Sequence, residues 1–185
     1  MVTDQVQRRD LSNRTRIHSN EPLYAEIFDF FVDEATLLDE DRHKEWLERT
    51  TEDVTYKMPV RRNLFRKDGP GIDHGSAHVD DNRFTLDLRV RHNVEAPSAS
   101  NREPPPRVRR FVSNVAVYQG DTEDEYLVDS YILLFRNRFR APTYDTLTAK
   151  REDVIRRTPE GLKLASREVL VDQALLGSSY INVFL

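Results

Sequence analysis

YLVDSYILLFRNRFR, residues 126–140, decides the class of fold. Its apolar side chains fall on both parities of a period-two repeat, with Tyr131, Leu133 and Phe135 on one and Ile132 and Leu134 on the other. A run of this length and composition reads as a strand, and a strand apolar on both sides needs cover on both. Further strand patterns follow or precede it: Val108–Tyr118, Tyr144–Arg156, Leu162–Asp172 and Tyr180–Leu185. Turn signals separate them at Gly120-Asp121, Ala141-Pro142, Pro159-Glu160-Gly161 and Gly177-Ser178. The final run, ending Val183-Phe184-Leu185, is two-sided as well.

Upstream of these strands the period changes. From Pro22 to Leu38, Tyr24, Ile27, Phe28, Phe31, Ala35 and Leu38 recur at helical spacing, with Asn20 as a cap and Pro22 in the first turn. Leu23, Phe30 and Leu37 widen that face, leaving a polar strip through Glu26, Asp29, Asp33 and Thr36. A short helix from Asp41 to about Thr50 carries Trp46 and Leu47, and Val54–Val60 reads as strand. Gly69, Pro70 and Gly71 mark Lys67–Gly75 as loop. Phe84, Leu86, Leu88 and Val90 alternate like a strand, although Phe84 and Leu88 also fit a helix capped by Asp80 or Asp81. The proline-rich piece from Glu95 to Pro106 is a long connection. Helices first and strands afterwards predict an α+β fold, with an antiparallel sheet curled around the N-terminal helices.

With 185 residues, the chain is expected to form a single domain over 21–185, preceded by a polar arm over 1–20. Twenty-eight basic side chains stand against 32 acidic ones, a balance that predicts no nucleic-acid partner. No apolar run approaches the ~20 residues of a membrane helix, and no signal core opens the chain, so a cytoplasmic location is expected. Cysteine is absent. This fits a reducing compartment and forbids a Rieske cluster held by this chain alone, because such a cluster needs two cysteines and two histidines.

Candidate chemistry is sparse. His74 and His78 are spaced H-x-x-x-H near Asp73, Asp80 and Asp81, but that spacing converges on a metal only in a helix, and the sequence around Gly75 reads as loop. Asp39-Glu40-Asp41 lies between two helices, where capping and solvation account for it. Asp29 and Asp33 belong to the polar strip, and would move protons only if brought into the interior beside Tyr56 or His78. The two-sided strands point instead to a neighbouring subunit. Candidate interface residues are Arg109, which points opposite to Arg110 on a strand, Arg136 and Arg138, which share a face on the next, and Asn114, Asp172 and Trp46, the last also a natural core residue. No catalytic, cofactor-binding or metal-ligating residue is assigned.

An ordered set of blocks resembles the small (beta) subunits of aromatic-ring-hydroxylating dioxygenases. It runs through Glu34-Ala35-Thr36-Leu37-Leu38-Asp39, Glu45-Trp46-Leu47, Asp53-Val54-Thr55-Tyr56 and Pro59. It continues with Pro104-Pro105-Pro106-Arg107, Arg109 to Val115, Leu134 to Arg138, Arg151-Glu152-Asp153-Val154 with Arg156, Gly161 to Arg167, and Leu170-Val171-Asp172-Gln173. The resemblance implies a cystatin-like, nuclear-transport-factor-like cone, and a helix from Asp80 to about His92. It implies a mostly structural chain that forms a trimer at the base of a hetero-hexamer with three large (alpha) subunits. Those large subunits would carry the Rieske [2Fe-2S] cluster and a mononuclear Fe(II), supplied with electrons from NAD(P)H through a reductase or ferredoxin, and would cis-dihydroxylate an aromatic hydrocarbon. The alternatives are a stand-alone dehydratase or isomerase of the same cone fold, which needs a buried Asp or His with a shifted pKa inside the cone, or a ligand-binding module.

Overall fold

A computed structural model describes residues 9–65, 67, 69, 71–96, 105–138, 140–174 and 183–185. The chain runs β1 (Arg16–Ile17), α1 (Pro22–Asp39), α2 (His43–Glu48), β2 (Thr50–Arg61), β3 (Ile72–Asn82), α3 (Arg83–Glu95), β4 (Arg107–Gln119), β5 (Glu125–Asn137), β6 (Asp145–Thr158) and β7 (Gly161–Val171). The strands form one sheet in the order β1-β4-β5-β6-β7-β2-β3. All neighbours are antiparallel except β2 and β7, which run parallel, so the sheet is mixed rather than wholly antiparallel.

The three helices cover one face of this sheet, giving the expected α+β cone. Ile27, Phe30, Phe31 and Leu38 of α1 and Leu86 and Val90 of α3 join Val54, Tyr56, Val117, Val128, Ile132, Leu134, Ile155 and Val169 in a single core. Register shifts between Ser113 and Ala116, between Val154 and Ile155, and around Pro59 interrupt the ladders. Such bulges bend and twist the strands that carry them, which suits a sheet wrapped around helices.

Several local expectations are corrected. Glu21, not Asn20, stands at the start of α1, with Pro22 in the first turn as expected. The helix over Phe84–Val90 is real, but Asn82 caps it: its side chain accepts from Thr85 N at 3.1 Å while Thr85 Oγ1 receives the Asn82 N–H at 2.9 Å. Neither Asp80 nor Asp81 is the cap, since both lie in β3. That strand also takes in Ile72–Gly75, read from its breakers as loop. Ile72 and Asp73 pair with Arg61 and Val60 of β2, and His74–Ser76 form a bulge before pairing resumes between Ala77 and Pro59, a place where glycine is at home. Within it the Gly75 N–H donates to Asp73 Oδ1 at 3.0 Å and His74 O accepts from Lys57 Nζ at 3.1 Å. Ile17, in the stretch read as an arm, is buried where β1 pairs with β4. Val183–Leu185 are buried in the core without forming a strand, and the remainder of the run from Tyr180 lies outside the described residues.

Candidate functional site

Inside the cone, where a pocket enzyme of this shape would need space, the structure places charge and packing. Glu34 lies at helical spacing from Phe30 and Leu38, so α1 carries it inward with its apolar face, to 1% exposure. Alternation along β6 turns Arg151 and Asp153 the same way, between Ala149 and Ile155, and β7 adds Arg167. Arg167 donates to Glu34 Oε1 and Oε2, both at 2.9 Å, and to both oxygens of Asp153 at 2.9 Å. Trp46 Nε1 donates to Glu34 at 3.0 Å. Arg151 approaches Glu34 at 3.4 Å, donates to Ser130 Oγ at 3.1 Å and lies over the Phe31 ring.

Two arginines and two carboxylates thus cancel in a region sealed from water. Burial alone would push the Glu34 carboxyl up, but the charges of Arg167 and Arg151 outweigh it and hold the group below its ordinary value. Burial, then the neighbouring Arg167, lowers Arg151 to about 10, which leaves it charged at neutral pH. A carboxylate fixed in its ionised form by bidentate pairing is a poor proton shuttle. The arrangement is structural.

The remaining interior is filled by the segment Val183–Leu185. Arg110 donates to Phe184 O through Nε at 3.1 Å and Nη2 at 2.8 Å, while Asp39 Oδ1 accepts from Arg110 Nη1 at 2.6 Å. Asp39 is therefore a buried-pair partner and not merely a helix-end charge. Tyr56 OH donates to Leu185 O at 3.0 Å and accepts from Leu185 N at 2.8 Å. Asp29 and Asp33 stay outside, in an open cleft of ≈ 830 Å³ between α1, α2 and the β6–β7 turn, where Asp33 pairs with Arg49 at 3.0 Å. His74 Nδ1 lies 2.8 Å from Glu168, and His78 is exposed on β3. Among the described residues no group of three or more His, Asp or Glu is arranged to hold a metal ion.

The opposite face of the sheet has less cover. Phe111 pairs with Leu133 across β4 and β5, and its ring meets Phe135 edge-on at 6.0 Å; Phe135 in turn meets Tyr144 at 6.2 Å. Phe111, Tyr131 and Tyr144 are 56%, 49% and 64% exposed. The candidate interface residues divide accordingly. Arg109 extends outward with its side chain 71% exposed, and Asn114 is exposed at the β4 bulge with φ of 52°. Asp172 lies 3.9 Å from Arg61 at the end of β7. Arg138 is half-buried. Arg136 is buried and pairs with Asp145 at 2.7 Å, and Trp46 is a core residue.

Sequence reading missed the Glu34–Arg151–Asp153–Arg167 network. The available signal was charge at apolar positions: Glu34 in register with Phe30 and Leu38, and Arg151 and Asp153 between Ala149 and Ile155 on one strand parity.

Comparison with known proteins adds the following. The family model described as ring hydroxylating beta subunit matches residues 33–178. The beta subunit of biphenyl 2,3-dioxygenase from Rhodococcus jostii (strain RHA1) is 32% identical over 167 residues, covering 88% of each chain. The beta subunit of chlorobenzene dioxygenase from Cupriavidus sp. (strain PS12) is 31% identical over 188 residues, covering 99% of this chain and 100% of that one. A chain of a naphthalene 1,2-dioxygenase structure with indole in its active site superposes with a TM-score of 0.77 at 24% identity, covering 92% of this chain and 90% of that chain.

Proposed function

Because the chain belongs to the beta subunits of ring-hydroxylating dioxygenases, we propose that it is the non-catalytic small subunit of the terminal oxygenase of an enzyme that cis-dihydroxylates an aromatic hydrocarbon. The observation that carries this reading is the occupied cone. Its buried carboxylate is locked in ion pairs and its remaining space is taken by Phe184 and Leu185, which also disfavours a stand-alone dehydratase or isomerase.

The outer face supplies the complementary half of the argument. A contiguous aromatic patch on a sheet suits burial against a second subunit. We assign it to self-association into a trimer that forms the base for three large (alpha) subunits, with residues 21–185 acting as one cone domain and 1–20 as an arm. Arg109, Asn114 and Asp172 are the proposed polar contacts around it. A chain without cysteine leaves the Rieske [2Fe-2S] cluster to the large subunit, together with the mononuclear Fe(II) and the electron path from NAD(P)H. The named relatives act on different arenes, and in this reading the pocket that chooses among them belongs to the large subunit.

Co-expression with its large (alpha) subunit, followed by native mass measurement, tests the assignment. A hetero-hexamer is expected; a stable monomer that never associates would overturn it.

A further inference from the structure

The way Val183–Leu185 is held is that of a bound ligand. The Phe184 ring lies 4.4 Å from the Trp46 ring with its plane tilted by 33°, meets Tyr56 perpendicularly at 6.4 Å, and meets His43 at 5.5 Å. The guanidinium of Arg89 sits 4.8 Å from its centroid. Three aromatic neighbours and a cation form a cage for a π-system, not a generic apolar hole. Three bonds beyond the ring-bearing Cβ, the carbonyl oxygen of the same residue takes a two-pronged donation from Arg110, and Leu185 O receives Arg167 Nη1 at 3.0 Å as well as Tyr56 OH. Arg151 Nη2, buried close to this group's ion network, has no hydrogen-bond partner among the described residues. A fork of guanidinium donors is the usual partner of a carboxylate or another strong acceptor.

We propose that the cone interior is an aryl-acid binding site occupied by the chain's own Phe184: it accepts an aromatic ring joined through two carbons to a carboxylate when residues 183–185 are withdrawn. The ring would take the cage of Trp46, Tyr56, His43 and Arg89, and the carboxylate the Arg110 fork. The inference goes beyond the role of the chain in an assembly and does not depend on it.

Trp46 is the only tryptophan, so its fluorescence reports this site alone. The probe is 3-phenylpropanoate, which reproduces the path from the Phe184 ring to its carbonyl carbon. In a chain lacking residues 183–185, the probe is expected to change Trp46 emission saturably. At about a hundred times its Kd it should raise Tm by about 5 °C or more. If the shortened chain folds only with the probe present, that recovery is the same result. The flat-ring requirement predicts a weaker response to 3-cyclohexylpropanoate, and the wild type, whose site is full, should show none. In full-length Phe184→Ala, where the carbonyl remains in the fork, toluene should fill the ring position and quench Trp46. The proposal is overturned by a shortened chain that the probe neither binds nor rescues, by an equal response to the cyclohexyl analogue or in wild type, or by a folded Phe184→Ala variant indifferent to toluene.

Discussion

Neutralising Glu34 would leave two buried guanidiniums, Arg151 and Arg167, with Asp153 as the remaining carboxylate between them. Breaking a buried ion pair from one side costs about 3–5 kcal/mol, because the surviving charge stays desolvated. Glu34→Gln is therefore expected to lower the unfolding free energy at pH 7 by about that amount, measured by urea denaturation. The pH dependence follows from the lowered native pKa of Glu34. A depressed carboxyl pKa means that the folded state favours the charged form, so this stabilisation is complete above the ordinary value of 4.5 and is lost as pH falls through the native value. In urea titrations taken downward from pH 7, wild type should lose stability more steeply than Glu34→Gln below about pH 4.5, and the gap between them should narrow. Nothing in the local sequence around Glu34 distinguishes it from the exposed Asp33 beside it. Only its register with Phe30 and Leu38 does.

Among the elements, α3 shows how local chemistry overrides a misleading period. Alternation through Phe84, Leu86, Leu88 and Val90 fits a strand, yet Leu86 and Val90 are buried four residues apart while Phe84 and Leu88 face outward, so a helix apolar on two sides produces the same pattern. The reciprocal bonds between Asn82 and Thr85 fix where it begins. Asn82→Ala should cost about 1 kcal/mol in equilibrium unfolding, with helical signal lost first from the α3 end of the molecule by amide exchange. The strands β4 to β7 were legible because their apolar runs and intervening turns agree. In β3, by contrast, pairing of Ile72–Asp73 and Ala77–Asn82 with β2 decided the matter by carrying the strand across the bulge at His74–Ser76, and no local propensity announces it.

For the molecule as a whole, the two faces of the sheet have different fates. The inner face is sealed by three helices, an ion network and the segment around Phe184, while the outer face presents Phe111, Tyr131 and Tyr144. If that patch is the contact between copies, a buried carboxylate placed there is uncompensated and blocks association. The double substitution Phe111→Glu and Tyr131→Glu should leave far-UV circular dichroism unchanged and shift the species seen by analytical ultracentrifugation to a single chain. Arg109→Glu, at the margin of the patch and close to Asp39, should weaken assembly less.

The sequence by itself determined the α+β class, the helical α1, the strand-rich second half, the family resemblance and the exclusion of a cluster that requires cysteine. These follow from period, turn chemistry and residue identity, which are local or ordered along the chain. Tertiary structure alone decided that Glu34, Arg151, Asp153 and Arg167 meet, that Arg136 and Trp46 turn inward, that Asp39 seats Arg110, and that Phe184 occupies the cone. Each joins residues distant in sequence, and a charged side chain on an apolar parity becomes a core residue only when its counter-charge arrives from another element.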